Sequence, residues 1–128
     1  MFPHTVTVFN VIKERDKVTY HRQVVFDVFF HVQKIISQEG KGEKYTSAYD
    51  VIFSHDALKK YVSKNLFENQ EDIYTLREND IIVFGEFGQI EDLIDIQKSN
   101  IDYFLIKTVS ENIYGEDELQ NVEVTNWR

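Results

Sequence analysis

The sequence predicts a mainly β domain of the α+β class: a small antiparallel β-barrel or rolled sheet with one long loop and two short helices. Residues 81–84 form a β-branched and aromatic run that follows a polar turn cluster and ends at Gly85, which is typical of a turn leading into a buried strand. Residues 18–32 alternate between apolar and polar side chains, which indicates a sheet with one buried face. The strand-like segments lack the strand and helix alternation of a parallel sheet, so antiparallel connections are expected.

The composition fits a single β-rich domain over residues 1–128. The chain is 42% hydrophobic and 14% aromatic, which is enough for one core and too little for two. It contains no cysteine, so disulfides and thiolate metal sites are excluded. No apolar run approaches the roughly 20 residues that span a bilayer, so we expect no association with a membrane.

Charge is distributed unevenly along the chain. Residues 1–67 carry ten Lys and Arg against seven Asp and Glu, a net charge of +3, whereas residues 68–128 carry four against fifteen, a net charge of −11. The overall charge of −8 argues against a general nucleic-acid binder, which would present a basic field. The asymmetry suits contacts between copies of the chain, and a solvated acidic C-terminal half explains it equally well.

A long hairpin is predicted at the start of the chain. Residues 5–10 form the first strand, the charged segment 13–17 its tip, and residues 18–32 the partner. Fifteen residues exceed the usual strand length of about 5 or 6, so a bend or bulge is expected near Asp27. The predicted buried register of this strand consists of Val18, Tyr20, Val24, Phe26, Val28, Phe30 and Val32.

The remaining elements are shorter. Residues 36–47 are polar and contain Gly40 and Gly42, which predicts a long mobile loop, and the spacing of a phosphate-binding loop is absent. Strands are expected at residues 49–53, 103–109 and 122–124. One helix, capped by Ser54 or Asp56, is predicted to carry Leu58, Tyr61, Val62 and Leu66, and a second runs from Ile90 to a stop at Asn100.

No pattern in the sequence predicts catalytic residues, a bound cofactor or a metal centre. His21 and His31 are expected on one face but about 33 Å apart along a straight strand, too far to share a metal ion. A group of carboxylates lacks a neighbouring base or a calcium-loop spacing, so a solvated acidic face is favoured for Glu86, Glu91, Asp92 and Asp95. We therefore expect no enzyme.

A small barrel that binds single-stranded nucleic acid is the alternative of another class. Aromatic side chains on a sheet surface can stack on bases. Tyr20, Phe26 and Phe30 nevertheless fall in the predicted buried register, and the acidic charge disfavours binding. Core packing is the favoured interpretation of these rings.

Three blocks of sequence resemble a family of short, uncharacterised structural proteins of tailed phages and prophages of Gram-positive bacteria. The blocks read MFPHTVTVFN at residues 1–10, YTLRENDIIVFGE at residues 74–86 and FLIKTVSENIYGEDELQNVEV at residues 104–124. Those proteins are similar in layout to head-closure, or head-tail connector, proteins. The chain departs from the pattern in the predicted helix around Leu58 to Leu66 and in the acidic residues 116–118 that follow Gly115.

The resemblance implies a structural component of the virion neck, assembled in the cytoplasm of a bacterial host. Copies of the chain would form a ring below the portal, with portal or adaptor and tail proteins as partners. DNA would pass through the ring without specific recognition, and no membrane would be involved. A tail-completion protein or another minor virion protein is the alternative within the same class. The family supplies no site residues to carry over.

The predicted loop is the candidate contact region. It is too polar to join the core and too long for a simple turn, so we expect it to order against a neighbouring subunit or the portal. The candidate contact residues are Gln38, Gly40, Lys41, Gly42 and Lys44.

Two further expectations concern the strand at residues 81–84. Ile82 and Phe84 should share the core with Phe26 and Val28. Gly85 should occupy a backbone position that a side chain would strain.

Overall fold

The computed structural model describes residues 4–39, 42–68, 72–113, 115, 116 and 119–127. These residues form one antiparallel sheet of seven strands, with a single short α-helix and one 3-10 helix, so the prediction of a mainly β fold is confirmed. The helices are the 3-10 segment Asp56–Lys60 and α1, Ile94–Gln97. The strands are β1 His4–Glu14, β2 Lys17–Glu39, β3 Gly42–Phe53, β4 Ile81–Phe84, β5 Tyr103–Leu105, β6 Thr108–Asn112 and β7 Asn121–Thr125.

The spatial order of the strands is β5-β4-β1-β2-β3-β7-β6. The first three strands form a meander at the centre, and the short C-terminal strands flank it on both sides. β5 and β6 lie at opposite edges of the sheet, although only Ile106 and Lys107 separate them. Ile106 donates its N–H to the Asp80 carbonyl at 2.9 Å, and Lys107 donates to the Thr125 carbonyl at 2.8 Å. The sheet therefore curls until its two edges approach, but no described ladder joins β5 to β6 and the sheet is open.

A β-bulge at Asp27 divides β2 into two halves. The register with β1 shifts between the pairs Val6↔Val25 and His4↔Val28, and Asp27 has a positive φ of 62°. The extra residue moves the following side chains to the opposite face of the sheet, so Val25 and Val28 are both buried. The expected bulge is confirmed.

The single buried register predicted for residues 18–32 is wrong, because the bulge reverses the two faces. N-terminal to the bulge, the even positions point away from the main core. Phe26 is 60% exposed and Val18 is 46% exposed, so Phe26 does not join the core with Ile82 and Val28. Val32, at the far end of the segment, is 47% exposed because β2 there has left the body of the sheet.

Both faces of the sheet carry apolar packing at β1 and β4. The main core contains Val28 and Ile82, with Phe84 and Phe30 partly buried against it. The rings of Phe84 and Phe30 lie 4.6 Å apart between centroids. A smaller core on the opposite face contains Phe9, Ile81, Val83, Ile90 and Ile96, with Tyr20 packed against it. Burial on both faces explains why residues 81–83 read as a continuous apolar run.

The polar turn before β4 is anchored to β1 by a buried carboxylate. Asp80 is 2% exposed, accepts a hydrogen bond from Asn10 Nδ2 at 2.8 Å and accepts another from the Val11 N–H at 3.0 Å. Arg77 Nε lies 3.0 Å from the same carboxylate, and Asn79 has the positive φ of 73° that Asx residues tolerate. The predicted turn is confirmed, and its acid fixes the turn to the neighbouring strand.

Gly85 has a φ of 90°, so the expected strained position is confirmed. Its backbone turns the chain out of β4 and back against β1. The Gly85 carbonyl accepts a hydrogen bond from Thr7 Oγ1 at 2.8 Å, and Thr7 Oγ1 in turn accepts the Phe87 N–H at 2.9 Å. One threonine side chain therefore holds both sides of the turn.

The helices are shorter than the sequence predicted. The first is the five-residue 3-10 segment, and Leu66 lies beyond it with 73% of its surface exposed. The N-cap is His55, without a side-chain capping bond, so the prediction of Ser54 or Asp56 as the cap is wrong. Ser54 Oγ nevertheless accepts the Ala57 N–H at 3.4 Å. α1 contains only four residues and ends at Gln97, with Lys98 as its C-cap, so it stops before the predicted Asn100. Asn100 lies in the turn that follows and has a positive φ of 60°. The single strand predicted over residues 103–109 is two strands, β5 and β6, with different partners.

The predicted long loop over residues 36–47 is a β-hairpin in the part that the structure describes. β2 and β3 remain paired from Val28↔Phe53 to Glu39↔Gly42. Gln38 pairs with Glu43, and Lys44 pairs with Ser37. The loop prediction is wrong for these residues because the polar composition concealed two strands that pair with each other. Gly40 and Lys41 lie outside the described residues.

Candidate interaction surface

The outer part of the β2–β3 hairpin extends beyond the body of the sheet. We call the paired segments 32–39 and 42–49 the ribbon. β1 pairs with β2 no further than Val28, and β7 pairs with β3 only over Asp50–Phe53, so no described strand flanks the ribbon. Eight residues at about 3.3 Å each give it a length of about 26 Å. A two-stranded hairpin is at best marginally stable alone in water, so a ribbon of this length is suited to pairing with a partner.

The base of the ribbon is tied to the C-terminal segment on one side. The Tyr49 N–H donates to Asn126 Oδ1 at 2.8 Å, and Asn126 Nδ2 donates to the Ser47 carbonyl at 3.0 Å. The Asn126 side chain thereby takes the place of a strand beside residues 47–49 of β3. The segment 32–39 of β2 has no comparable described neighbour on its outer edge.

The structure places three of the five candidate contact residues near the end of the ribbon. Gln38, Gly42 and Lys44 belong to its last three described pairs, and Gly40 and Lys41 lie outside the described residues. The fold thus brings the candidate residues together at one end of an extended hairpin. Their role as contact residues stays a prediction.

Apolar side chains are exposed where the ribbon leaves the sheet. Phe29 is 39% exposed and Val32 is 47% exposed. The centroids of the Phe29 and His4 rings lie 6.0 Å apart. Such side chains at the base of a projecting hairpin add apolar area to any contact made there.

Two carboxylates interact across β3 and β7 near the same place. Partial burial raises the pKa of Asp50 above its usual value of 3.8, while the neighbouring His31 and a hydrogen bond with Glu123 act in the opposite direction. Partial burial, the charge of Asp50 and the shared hydrogen bond all raise the pKa of Glu123 above 4.5. His31 pairs directly with Asp50 across β2 and β3. Sequence reasoning missed this cluster because 73 residues separate the two acids and only the register brings them together.

The histidines do not share a face as the sequence predicted. His21 pairs with Asn10 on the side of the main core, and its Nε2 donates to the Ile73 carbonyl at 2.6 Å. His31 follows the Asp27 bulge and lies exposed on the opposite face, beside Asp50. The bulge therefore places the two rings on opposite faces of the sheet, in addition to separating them along β2.

The acidic cluster has structural roles near the N-terminus of α1. Asp95 Oδ2 accepts the N–H groups of Glu91 at 3.0 Å and Asp92 at 3.2 Å. The Glu86 carboxylate lies 3.9 Å from the Arg22 guanidinium. Among the described residues, no group of three or more histidines and carboxylates is arranged to hold a metal ion.

The charge asymmetry along the sequence does not divide the molecule into two sides. Strands β1 to β3 come from the net-positive half of the sequence and lie at the centre of the sheet, while strands from the acidic half lie at both edges. The fold therefore does not present one positive side and one negative side through which two copies could make contact.

In the part of the chain that the structure describes, no helix has the length and apolar character needed to cross a membrane. This agrees with the four-residue length of α1.

Comparison with known proteins places the chain in a family. Residues 1–126 match the family described as a family of unknown function (DUF6751), so the chain belongs to that family. No curated protein and no solved structure matches it.

Proposed function

We propose that this chain is a structural subunit of a phage neck, of the head-closure or head-tail connector type, that assembles with its own copies into a ring. The observation that carries the proposal is the ribbon, a paired extension that no described strand flanks on either side. The resemblance of three sequence blocks to phage structural proteins supplies the class.

The ribbon supports self-assembly on energetic grounds. A strand with one unpaired edge presents a row of N–H and C=O groups that readily accept another chain. The ribbon has an unpaired edge along residues 32–39, and the exposed side chains of Phe29 and Val32 lie beside its base. Pairing with a neighbouring subunit would satisfy the edge and cover the apolar area together.

The curl of the sheet supports a barrel-like subunit. The short connection through Ile106 and Lys107 draws the two sheet edges together, and its backbone donates to Asp80 and Thr125 on opposite sides. We therefore propose the finer architecture of a rolled, barrel-like sheet from which the ribbon projects. A ring of such subunits leaves a central channel through which DNA passes.

The test is the mass and shape of the purified chain, measured by light scattering after gel filtration and by electron microscopy over a range of concentrations. We expect ring-shaped particles whose mass is a multiple of the 15.2 kDa subunit. A variant in which Asn-Gly replaces residues 36–45 keeps Ile35↔Thr46 as its last pair and should remain folded and monomeric. A wild-type chain that stays monomeric at every concentration would refute self-assembly.

Exposed aromatic side chains favour a second candidate, a module that binds single-stranded nucleic acid. Phe26 is 60% exposed and Phe29 is 39% exposed, and exposed rings on a sheet can stack on bases. The net charge of −8 opposes this function. Titration with single-stranded DNA at low salt separates the candidates, since affinity that falls steeply with added salt would favour nucleic-acid binding.

A further inference from the structure

The N-terminal half of β2 is paired on one side only, although β2 as a whole is a central strand of the sheet. β1 pairs with one side of β2 over residues 17–28, whereas β3 pairs with the other side only from Val28 onward. Residues 19–26 therefore lack a described strand on the β3 side. We call this segment the open edge. Ser54 Oγ donates to the Asp27 carbonyl at 2.8 Å and marks the point where β3 departs.

Side-chain hydrogen bonds show which backbone groups point out of the open edge. The Tyr20 carbonyl accepts Gln89 Nε2 at 2.7 Å, and the Val24 carbonyl accepts Gln23 Nε2 at 3.2 Å. A carbonyl turned toward β1 would be engaged in the ladder and hidden from these amides. Because N–H and C=O groups of one residue point to the same side of an antiparallel strand, the amides of Tyr20, Arg22 and Val24 also face outward.

The β1 backbone confirms this alternation. The Val11 N–H donates to Asp80 Oδ1 and the Val11 carbonyl accepts a hydrogen bond from Arg77 Nη2, so this residue faces away from β2. The Thr5 carbonyl likewise accepts the Gly85 N–H on the β4 side. Odd-numbered residues of β1 thus turn away from β2, and their register partners in β2 are the even-numbered residues.

An open groove follows this edge. One part, of about 440 Å³, is lined by five consecutive residues of β2 from Gln23 to Asp27 and walled by Asp56, Ala57 and Lys59 of the 3-10 helix. The adjoining part, of about 670 Å³, is lined by residues 19–24 with Asp72 and Gln89. Consecutive strand residues line a cavity only where the strand edge itself is accessible, because alternate side chains point to opposite faces.

We propose that the open edge accepts the ribbon of a second copy of this chain as an added β-strand, with residues 32–39 of the donor lying along residues 19–26 of the acceptor. The inference rests on the proposed self-assembly and names its contact surfaces. Donor and acceptor segments are each eight residues long, and each has one edge that no described strand occupies. Backbone hydrogen bonds supply the affinity in this mode of recognition.

No proline lies in the open edge. Proteins commonly block an exposed edge with proline, and the only proline in the sequence is Pro3. Donor and acceptor surfaces are different parts of the chain, so the contact is heterologous and produces a ring when its rotation closes. This geometry matches the ring proposed above.

The first test follows amide hydrogen exchange of the wild-type chain by NMR below and above the concentration at which it assembles. The amides of Tyr20, Arg22 and Val24 should exchange roughly tenfold or more slowly after assembly, because new hydrogen bonds protect them. Unchanged exchange at all three positions in the assembled protein would overturn the proposal. No substitution is needed, so misfolding of a variant cannot obscure the answer.

The second test mixes two variants that each lack one surface. Val24→Pro removes an outward N–H, which a strand edge tolerates when that group faces solvent, and Val24→Ala is the matched control that keeps it. The other variant replaces residues 36–45 with Asn-Gly. We expect each blocked variant alone to be monomeric, the alanine control to assemble, and the mixture of the two blocked variants to form a one-to-one complex, detected by sedimentation.

The outcomes separate this inference from the proposed function. Assembly that persists in both blocked variants overturns the edge contact and leaves self-assembly standing. Blocked variants that stay monomeric when mixed also overturn the edge contact. A wild-type chain that remains monomeric at every concentration overturns both proposals.

Discussion

Replacing Asp80 by asparagine should destabilise the fold severely, because this carboxylate joins the turn before β4 to β1. Its two oxygens accept hydrogen bonds from Asn10, Val11 and Arg77. An amide of the same shape would turn an NH₂ group toward one of these donors and would lose the charge that pairs with Arg77. The Asp80 side chain is 3% exposed and that of Arg77 is 29% exposed, so the pair is only partly screened by water.

The expected loss is about 3 kcal/mol, the lower end of the range for breaking a buried pair by removing one partner. An unfolding entropy of about 2.1 cal/mol/K per residue gives about 0.27 kcal/mol/K for this chain, so Tm should fall by about 11 °C. Calorimetry and urea denaturation with an unchanged m value should agree on this loss. Glu91→Gln is the matched control, since it also removes one negative charge but lies on the exposed surface.

The lost buried hydrogen bonds, rather than the change in net charge, set the size of the destabilisation. Asp80→Asn with a stability within about 0.5 kcal/mol of the Glu91→Gln control would refute it, because surface substitutions typically fall in that range. A loss confined to the m value would instead indicate a changed denatured state.

Three further substitutions test the core, the turn and the acid pair. Phe84→Ala should cost about 3 kcal/mol in urea denaturation, at the low end for phenylalanine because the ring is partly buried, and a melting curve like that of wild type would contradict its packing against Phe30. Gly85→Ala and Gly85→Val should each cost about 1 to 2 kcal/mol, since the φ of 90° strains both and nothing lies within 4 Å of an added Cβ; a tolerated alanine would contradict the strain argument. The pKa values of Asp50 and Glu123 are raised in the folded state, so the folded protein binds these two protons more tightly than the unfolded chain does. The stability that results is present below the usual pKa values of the two groups and is lost as pH rises through their raised pKa values. Asp50→Asn should therefore gain in Tm relative to wild type between pH 4 and pH 7, and a constant difference across that interval would argue against the coupling.

The parts of the fold that could be predicted from the sequence are those set by local pattern. The β-branched run at residues 81–84, the Asx turn before it and Gly85 each carry a conformational preference that does not depend on distant residues. The bulge near Asp27 could also be expected, because an uninterrupted strand of that length is unusual. These features correspond to β4, its turn and the break in β2.

The parts that could not be predicted depend on register and partners. One residue inserted at the bulge moved Phe26 from the expected core to the surface, which alternation alone cannot reveal. The ribbon could not be predicted because Gly40, Gly42 and the polar residues around them have the composition of a loop. The two strands of the ribbon form through their pairing with each other, which local composition does not indicate. The open edge has no local signal, since it arises only where β3 ends opposite Val28.

The contact between the ribbon of one copy and the open edge of another can be measured most directly by disulfide trapping. The chain has no cysteine, so single cysteines can be introduced without background. Chains carrying Val24→Cys are mixed under mild oxidation with chains carrying one cysteine at each of residues 33–39 in turn. Mixed dimers should form mainly at one donor position, the residue opposite Val24, because a disulfide needs Cα atoms about 4.4–6.8 Å apart and residues two places along the strand are about 7–8 Å away. The two adjacent donor positions should give little product, because their side chains point to the other face of the sheet. Mixed dimers at no donor position, or no more than with an exposed Lys98→Cys control, would contradict the account.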